Sequence, residues 1–134
     1  MKNPLRLLLV AVVALVGALV LTSCSSGSSV TTVGAQDFIA KSAQPGVVVI
    51  DVRTPAEFAE GHVDGAINVD VEAATFDAQI AQLDKGTTYA VYCRTGRRSG
   101  VATDAMGASG FTSVYNLDGG VADLQAVGAP IVAG

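Results

Sequence analysis

With 134 residues the chain has the length of one domain of ordinary size. Half of it is hydrophobic and only 15% is charged, which excludes a chain disordered throughout. A formal charge of -4 argues against a nucleic-acid partner, and two cysteines are too few for a disulfide scaffold.

The N-terminal segment reads as an export signal. Lys2 and Arg6 make a basic start, and fifteen uncharged residues follow from Leu7 to Leu21. That run matches a secretory apolar region of roughly 7–15 residues. It falls short of the about 20 that a spanning helix needs. Leu21-Thr22-Ser23-Cys24 then resembles the lipobox of bacterial lipoproteins. The resemblance implies that residues 1–23 are a signal peptide and that Cys24 becomes the lipid-modified first residue of the mature protein. Stable anchoring needs two or more acyl chains, because one chain binds a membrane only marginally. The protein is thus expected outside the cytoplasm, lipid-anchored to a bacterial membrane. Residues 24–32, rich in Ser and Thr, are expected to form a flexible tether, with a reach of about 16 Å over eight residues.

The folded domain is expected over 33–134. A short helix is predicted around Asp37–Lys41. Val47–Val52 is a nearly continuous β-branched run, the signature of a strand buried on both faces. Thr54-Pro55 supplies an N-cap and a first-turn proline for a helix that ends near Gly61. Ala66–Val69 reads as a short strand. Phe76, Ile80 and Leu83 share a helical face. Tyr89–Tyr92 is a further strand, and Cys93 lies at its C-terminal end. A helix is predicted from about Arg98 to Ala108, with Gly110 as its terminator. Ser113–Leu117 forms the last core strand, Gly119-Gly120 a turn, and Val121–Val127 the final helix. Strands alternating with helices imply an α/β fold: a mostly parallel central sheet with helices on both faces, hence three layers. In such sheets ligands bind beyond the carboxyl ends of the strands, where this reading puts Cys93.

The segment Cys93-Arg94-Thr95-Gly96-Arg97-Arg98-Ser99 joins a strand to a helix. A loop of this kind can turn successive backbone N–H groups inward on an anion, and the helix N-terminus adds partial positive charge. Gly96 permits the tight turn. Once the signal is removed, three of the six remaining basic residues fall between Arg94 and Arg98, while all twelve acids stay. The same field favours thiolate over thiol at Cys93. If Cys24 carries lipid, Cys93 is the only thiol and no intramolecular disulfide can form. Asp51 and Arg53 lie at a neighbouring strand end and read as a structural ion pair supporting the site. His62, the only histidine, is assigned to structural hydrogen bonding. Glu57 and Asp64 are read as loop and cap residues. No Cys/His cluster has zinc-site spacing, and neither a metal nor a cofactor is implied.

The Cys93 loop resembles the active-site loop of the rhodanese family of sulfurtransferases. Asp51-Val52-Arg53-Thr54-Pro55-Ala56-Glu57-Phe58 with Gly61-His62-Val63-Asp64-Gly65-Ala66-Ile67-Asn68 resembles the family's upstream motif, and Leu117-Asp118-Gly119-Gly120 its C-terminal motif. Two departures are Leu124 in a neighbourhood that is usually aromatic and Arg97 at a position that is often neutral. The resemblance implies a rhodanese-like fold and sulfur transfer through a persulfide on Cys93. The partners implied are a small anionic sulfur donor, of thiosulfate or persulfide type, and a thiol or cyanide acceptor. Arg94 and Arg98 would hold the donor or the leaving group. Arg97 would either do the same or face solvent. Thr95, Gly96 and Ser99 would complete the substrate-binding loop.

Two other functions compete with this reading. A cysteine phosphatase or arsenate reductase needs five residues between Cys and Arg. Here Arg98 comes after four and Ser99 stands in the sixth place, which makes a smaller pocket. A carrier that holds sulfur for a protein partner without turnover fits the same residues.

Lipidation predicts a direct outcome. Full-length protein partitions with membranes and carries a lipid mass, whereas Cys24→Ala loses that mass shift; recovery of uncleaved, unlipidated wild type from the cytoplasm would contradict it.

Overall fold

The computed structural model describes residues 28–134. The expected signal peptide, Cys24 and the first part of the expected tether lie outside the described residues. The strands are β1 (Val30–Val33), β2 (Val48–Asp51), β3 (His62–Val63), β4 (Ile67–Asn68), β5 (Tyr89–Tyr92), β6 (Val114–Leu117) and β7 (Ile131–Val132). The helices are α1 (Ala35–Ser42), α2 (Pro55–Glu60), α3 (Phe76–Ala81), α4 (Arg97–Ala108) and α5 (Val121–Ala126).

Five strands form one sheet in the order β1-β6-β5-β2-β4, and every pairing is parallel. The centre is β5 beside β2, with Asp51 in register with Tyr92. Parallel strands of this kind are covered on both faces, and alternation divides their side chains between two cores. Ile50, Val52, Val91 and Cys93 pack with Phe76 and Ile80 of α3 and with Ala102 and Met106 of α4. Val49, Ala90, Tyr92 and Leu117 pack with Phe38 of α1 and Leu124 of α5. The protein is therefore a three-layer α/β sandwich. Leu124, at 0% exposure, fills its side of the core as an aliphatic residue.

Two features differ from the sequence reading. Val30–Val33 is the edge strand β1 in parallel register with Val114–Leu117, and not the end of a tether. Its exposed middle, Thr31-Thr32, carries no hydrophobic signal, and only the pairing partner defines it. His62-Val63 pairs antiparallel with Ile131-Val132 as a separate two-stranded sheet, where no strand was expected. Two-residue strands are too short for any period to show.

Asp51 closes β2, and Arg53 lies two residues further on. The carboxylate Oδ2 lies 2.6 Å from Arg53 Nη2, and the two side chains are 0% and 4% exposed. Arg53 Nη2 also donates to the Gly61 carbonyl at 2.6 Å, and the Arg53 amide donates to Asp51 Oδ1 at 2.9 Å. Asn68 Nδ2 donates to the carbonyls of both residues. The pair thus joins β2, the end of α2 and β4. Its value lies in the cost of breaking it, because a lone buried charge is far worse than a satisfied pair. Arg53→Met leaves Asp51 unpaired, and the expected loss is about 3–5 kcal/mol of unfolding free energy. Urea denaturation measures it as a lower midpoint with an unchanged slope.

Candidate active site

The chain leaves β5 at Tyr92, and Cys93 is 0% exposed. Gly96 has φ +100°, a left-handed conformation suited to glycine, and it caps α4. This turn brings the Gly96 amide to 3.0 Å from Cys93 Sγ. Ser99, buried in the first turn of α4, places Oγ 3.5 Å from the sulfur and donates to the Gly96 carbonyl at 3.1 Å. Burial pushes the Cys93 pKa up. The Ser99 hydroxyl and the backbone amides of Ser99, Thr95 and Gly96 favour the thiolate more strongly, and the net result is a lowered pKa.

The loop is held from behind by the Gly119-Gly120 turn. Val121 N–H donates to the Cys93 carbonyl at 3.0 Å. A Cβ at Gly120 would overlap the Arg94 carbonyl, so only glycine allows the two segments to meet. Gly120 N–H is in turn held by Asp123 Oδ2 at 2.8 Å.

The three arginines are not equivalent. Arg98 is bound by Glu57 through both carboxylate oxygens, Nη1 to Oε2 at 2.7 Å and Nη2 to Oε1 at 2.8 Å. Glu72 approaches its Nη1 at 3.4 Å. Arg98, expected to hold the donor or the leaving group, has its guanidinium engaged by Glu57. The Glu57 hydrogen bonds raise the Arg98 pKa. Reciprocally, the Arg98 hydrogen bonds hold the Glu57 carboxyl far below the usual carboxylate range. Arg94 is exposed and lies 3.6 Å from Glu57 Oε1. Arg97 is exposed and has no acidic partner within 4 Å among the described residues. Thr95 is exposed beside it. Arg97, Arg98, Glu72, Val71 and Val101 line a hollow of about 140 Å³ at the flank of the loop.

Glu57 is the site residue that sequence reasoning missed. Thr54-x-x-Glu57 announces a capping box, and both of its hydrogen bonds are present. Nothing in the spacing announces a partner 41 residues away. Asp51 and Arg53 sit at the end of the strand next to Cys93, but their polar atoms are spent on each other and on backbone. His62 is buried, its ring stacked on Phe58 at 3.6 Å and its Nδ1 2.9 Å from the Phe58 carbonyl. Among the described residues no group of three or more His, Cys, Asp or Glu is placed to hold a metal ion.

A buried cysteine at a strand end, with the Gly96 amide on its sulfur and a lowered pKa, has the make-up of a nucleophilic site for an anionic or polarised partner. Residues 34–126 match the rhodanese-like domain family, and the chain belongs to it. Thiosulfate sulfurtransferase PspE of Escherichia coli K12 is 40% identical over 75 residues, which span 56% of this chain and 71% of that protein. A rhodanese with anions from E. coli, a solved structure, is 38% identical with TM-score 0.54 and covers 66% of this chain and 99% of its own. A rhodanese-related protein of Thermoplasma volcanium superposes with TM-score 0.67 at 26% identity, over 77% of this chain and 98% of its own. At the level of the family these relatives support sulfur transfer.

The hydrogen bonds at sulfur give a signed expectation. Ser99→Ala removes a hydroxyl that can turn from the Gly96 carbonyl to the ionised sulfur, so the Cys93 pKa rises. The pH midpoint of iodoacetamide alkylation at Cys93 moves up. A midpoint that stays in place would mean that the Ser99 hydroxyl does not act on the sulfur.

Proposed function

We propose that the protein is a sulfurtransferase that moves sulfane sulfur from an anionic donor, of thiosulfate or persulfide type, to a thiol or cyanide acceptor through a persulfide on Cys93. The observation that carries this reading is the Gly96 amide 3.0 Å from a buried Cys93 sulfur, a contact that favours negative charge there.

The Cys93 thiolate attacks the outer sulfur of the donor. A new S–S bond forms as the donor's own bond to that sulfur breaks, and the bonding pair leaves with the remainder, sulfite in the case of thiosulfate. The persulfide on Cys93 keeps one negative charge on its terminal sulfur. A thiolate or cyanide acceptor then attacks that terminal sulfur, and the Cys93 thiolate departs. One difficult transfer is thereby divided into two displacements at the same atom. Amides at the loop are fixed before reaction, so they stabilise charge on sulfur without reorganising. A histidine base is unnecessary, since the thiolate needs no proton removed.

In the same proposal the domain works outside the cytoplasm, joined through Cys24 lipid to a membrane. The folded domain then begins with β1 at Val30.

The test uses the nucleophile. Thiosulfate treatment of wild type adds the mass of one sulfur atom, lost again on addition of a thiol or cyanide. Cys93→Ser keeps the fold, takes up no sulfur, and has no measurable transfer, because a hydroxyl cannot form a persulfide. Transfer retained in Cys93→Ser would overturn the mechanism.

A further inference from the structure

We propose that Glu57 is a positioning and specificity-determining residue. Its carboxylate fixes the Arg98 guanidinium at the mouth of the Cys93 loop and lowers the positive charge that an incoming donor meets there. The site is thereby biased toward sulfane donors with a single negative charge, such as organic persulfides and thiosulfonates, over dianions. This inference rests on the sulfur-transfer reading above.

Glu57 is anchored from two sides. Behind it, Oε2 accepts from the Thr54 amide at 3.2 Å and the Thr54 hydroxyl at 3.0 Å, as part of the N-cap of α2. In front it forms the two-point contact with Arg98, and Arg94 stands 3.6 Å away. A carboxylate held in this way cannot swing aside when an anion arrives. Both side chains of the pair are partly sheltered, Arg98 at 18% and Glu57 at 20% exposure, so water screens the pair only in part. At the mouth, Glu57 and Glu72 oppose Arg94, Arg97 and Arg98. Arg97 is the arginine of this group without an acidic partner within 4 Å among the described residues. A dianion gains twice what a monoanion gains from each uncompensated positive charge. Cancelling one such charge therefore costs a dianion more, and the donor preference shifts toward single charge.

The experiment compares wild type, Glu57→Gln and Glu60→Gln in the full chain. Glutamine can still accept from the Thr54 amide, which preserves the helix cap. Glu60 is an exposed acid on the same helix without an Arg98 contact, and it controls for charge alone. Second-order alkylation rates at Cys93 are read by peptide mass with iodoacetate, an anion, and iodoacetamide, which is neutral. Their ratio cancels changes in thiolate fraction and in access common to both reagents. Glu57→Gln raises the iodoacetate:iodoacetamide ratio about three- to tenfold at low salt. That gain fades at about 1 M salt. The thiosulfate:thiosulfonate ratio of kcat/KM rises in parallel, through KM more than kcat. Glu60→Gln leaves both ratios in place. An unchanged ratio in Glu57→Gln, or an equal change in Glu60→Gln, overturns the proposal. Turnover of neither donor by wild type would overturn the sulfur-transfer reading instead, while the alkylation ratio still decides the role of Glu57.

Discussion

The contact between Gly120 and the carbonyl of Arg94 sets the geometry on which the site depends. It lets the Gly119-Gly120 turn press against the back of the Cys93 loop, where any side chain would drive the two apart. With that support the Cys93 carbonyl reaches the first amide of α5, and the loop closes tightly enough for the Gly96 amide to face the sulfur. Arg94 and Gly120 are 26 residues apart in sequence, yet the two segments are shaped for each other. A sequence motif at the C-terminal side of the domain is thus a structural component of a nucleophile at its centre.

The charges around this loop divide into two tasks. Short-range dipoles do the work at sulfur: the Ser99 hydroxyl and three backbone amides overcome the penalty of burial. The arginines act farther out. Arg98 is committed to Glu57, and Arg94 and Arg97 face solvent. An account that credits the thiolate to three clustered cations counts charges without asking where each is spent. The distinction matters because amides are fixed by the backbone, whereas a salt-bridged cation responds to its partner.

Much of this was legible in the residues. The β-branched run before Asp51 and the Tyr89–Tyr92 segment read directly as central strands, since burial on both faces leaves a continuous hydrophobic signal. Cys93 could be placed at a strand end because the strand preceding it and the helix following it are both strongly marked. The features that escaped depend on pairing across distance. Val30–Val33 carries Thr at its two middle positions, and it is a strand because Val114–Leu117 offers it an edge. His62-Val63 becomes a strand only when Ile131-Val132 returns beside it. Glu57 satisfies its local capping role so well that its second role, to Arg98, leaves no trace in the spacing.

The uniform direction of the main sheet separates two ends of the domain. All five strands run the same way, so the start of β1 and the loop after β5 lie at opposite ends of the sheet. The entry of the chain into the sheet and the approach to Cys93 are thereby kept apart, and neither crowds the other.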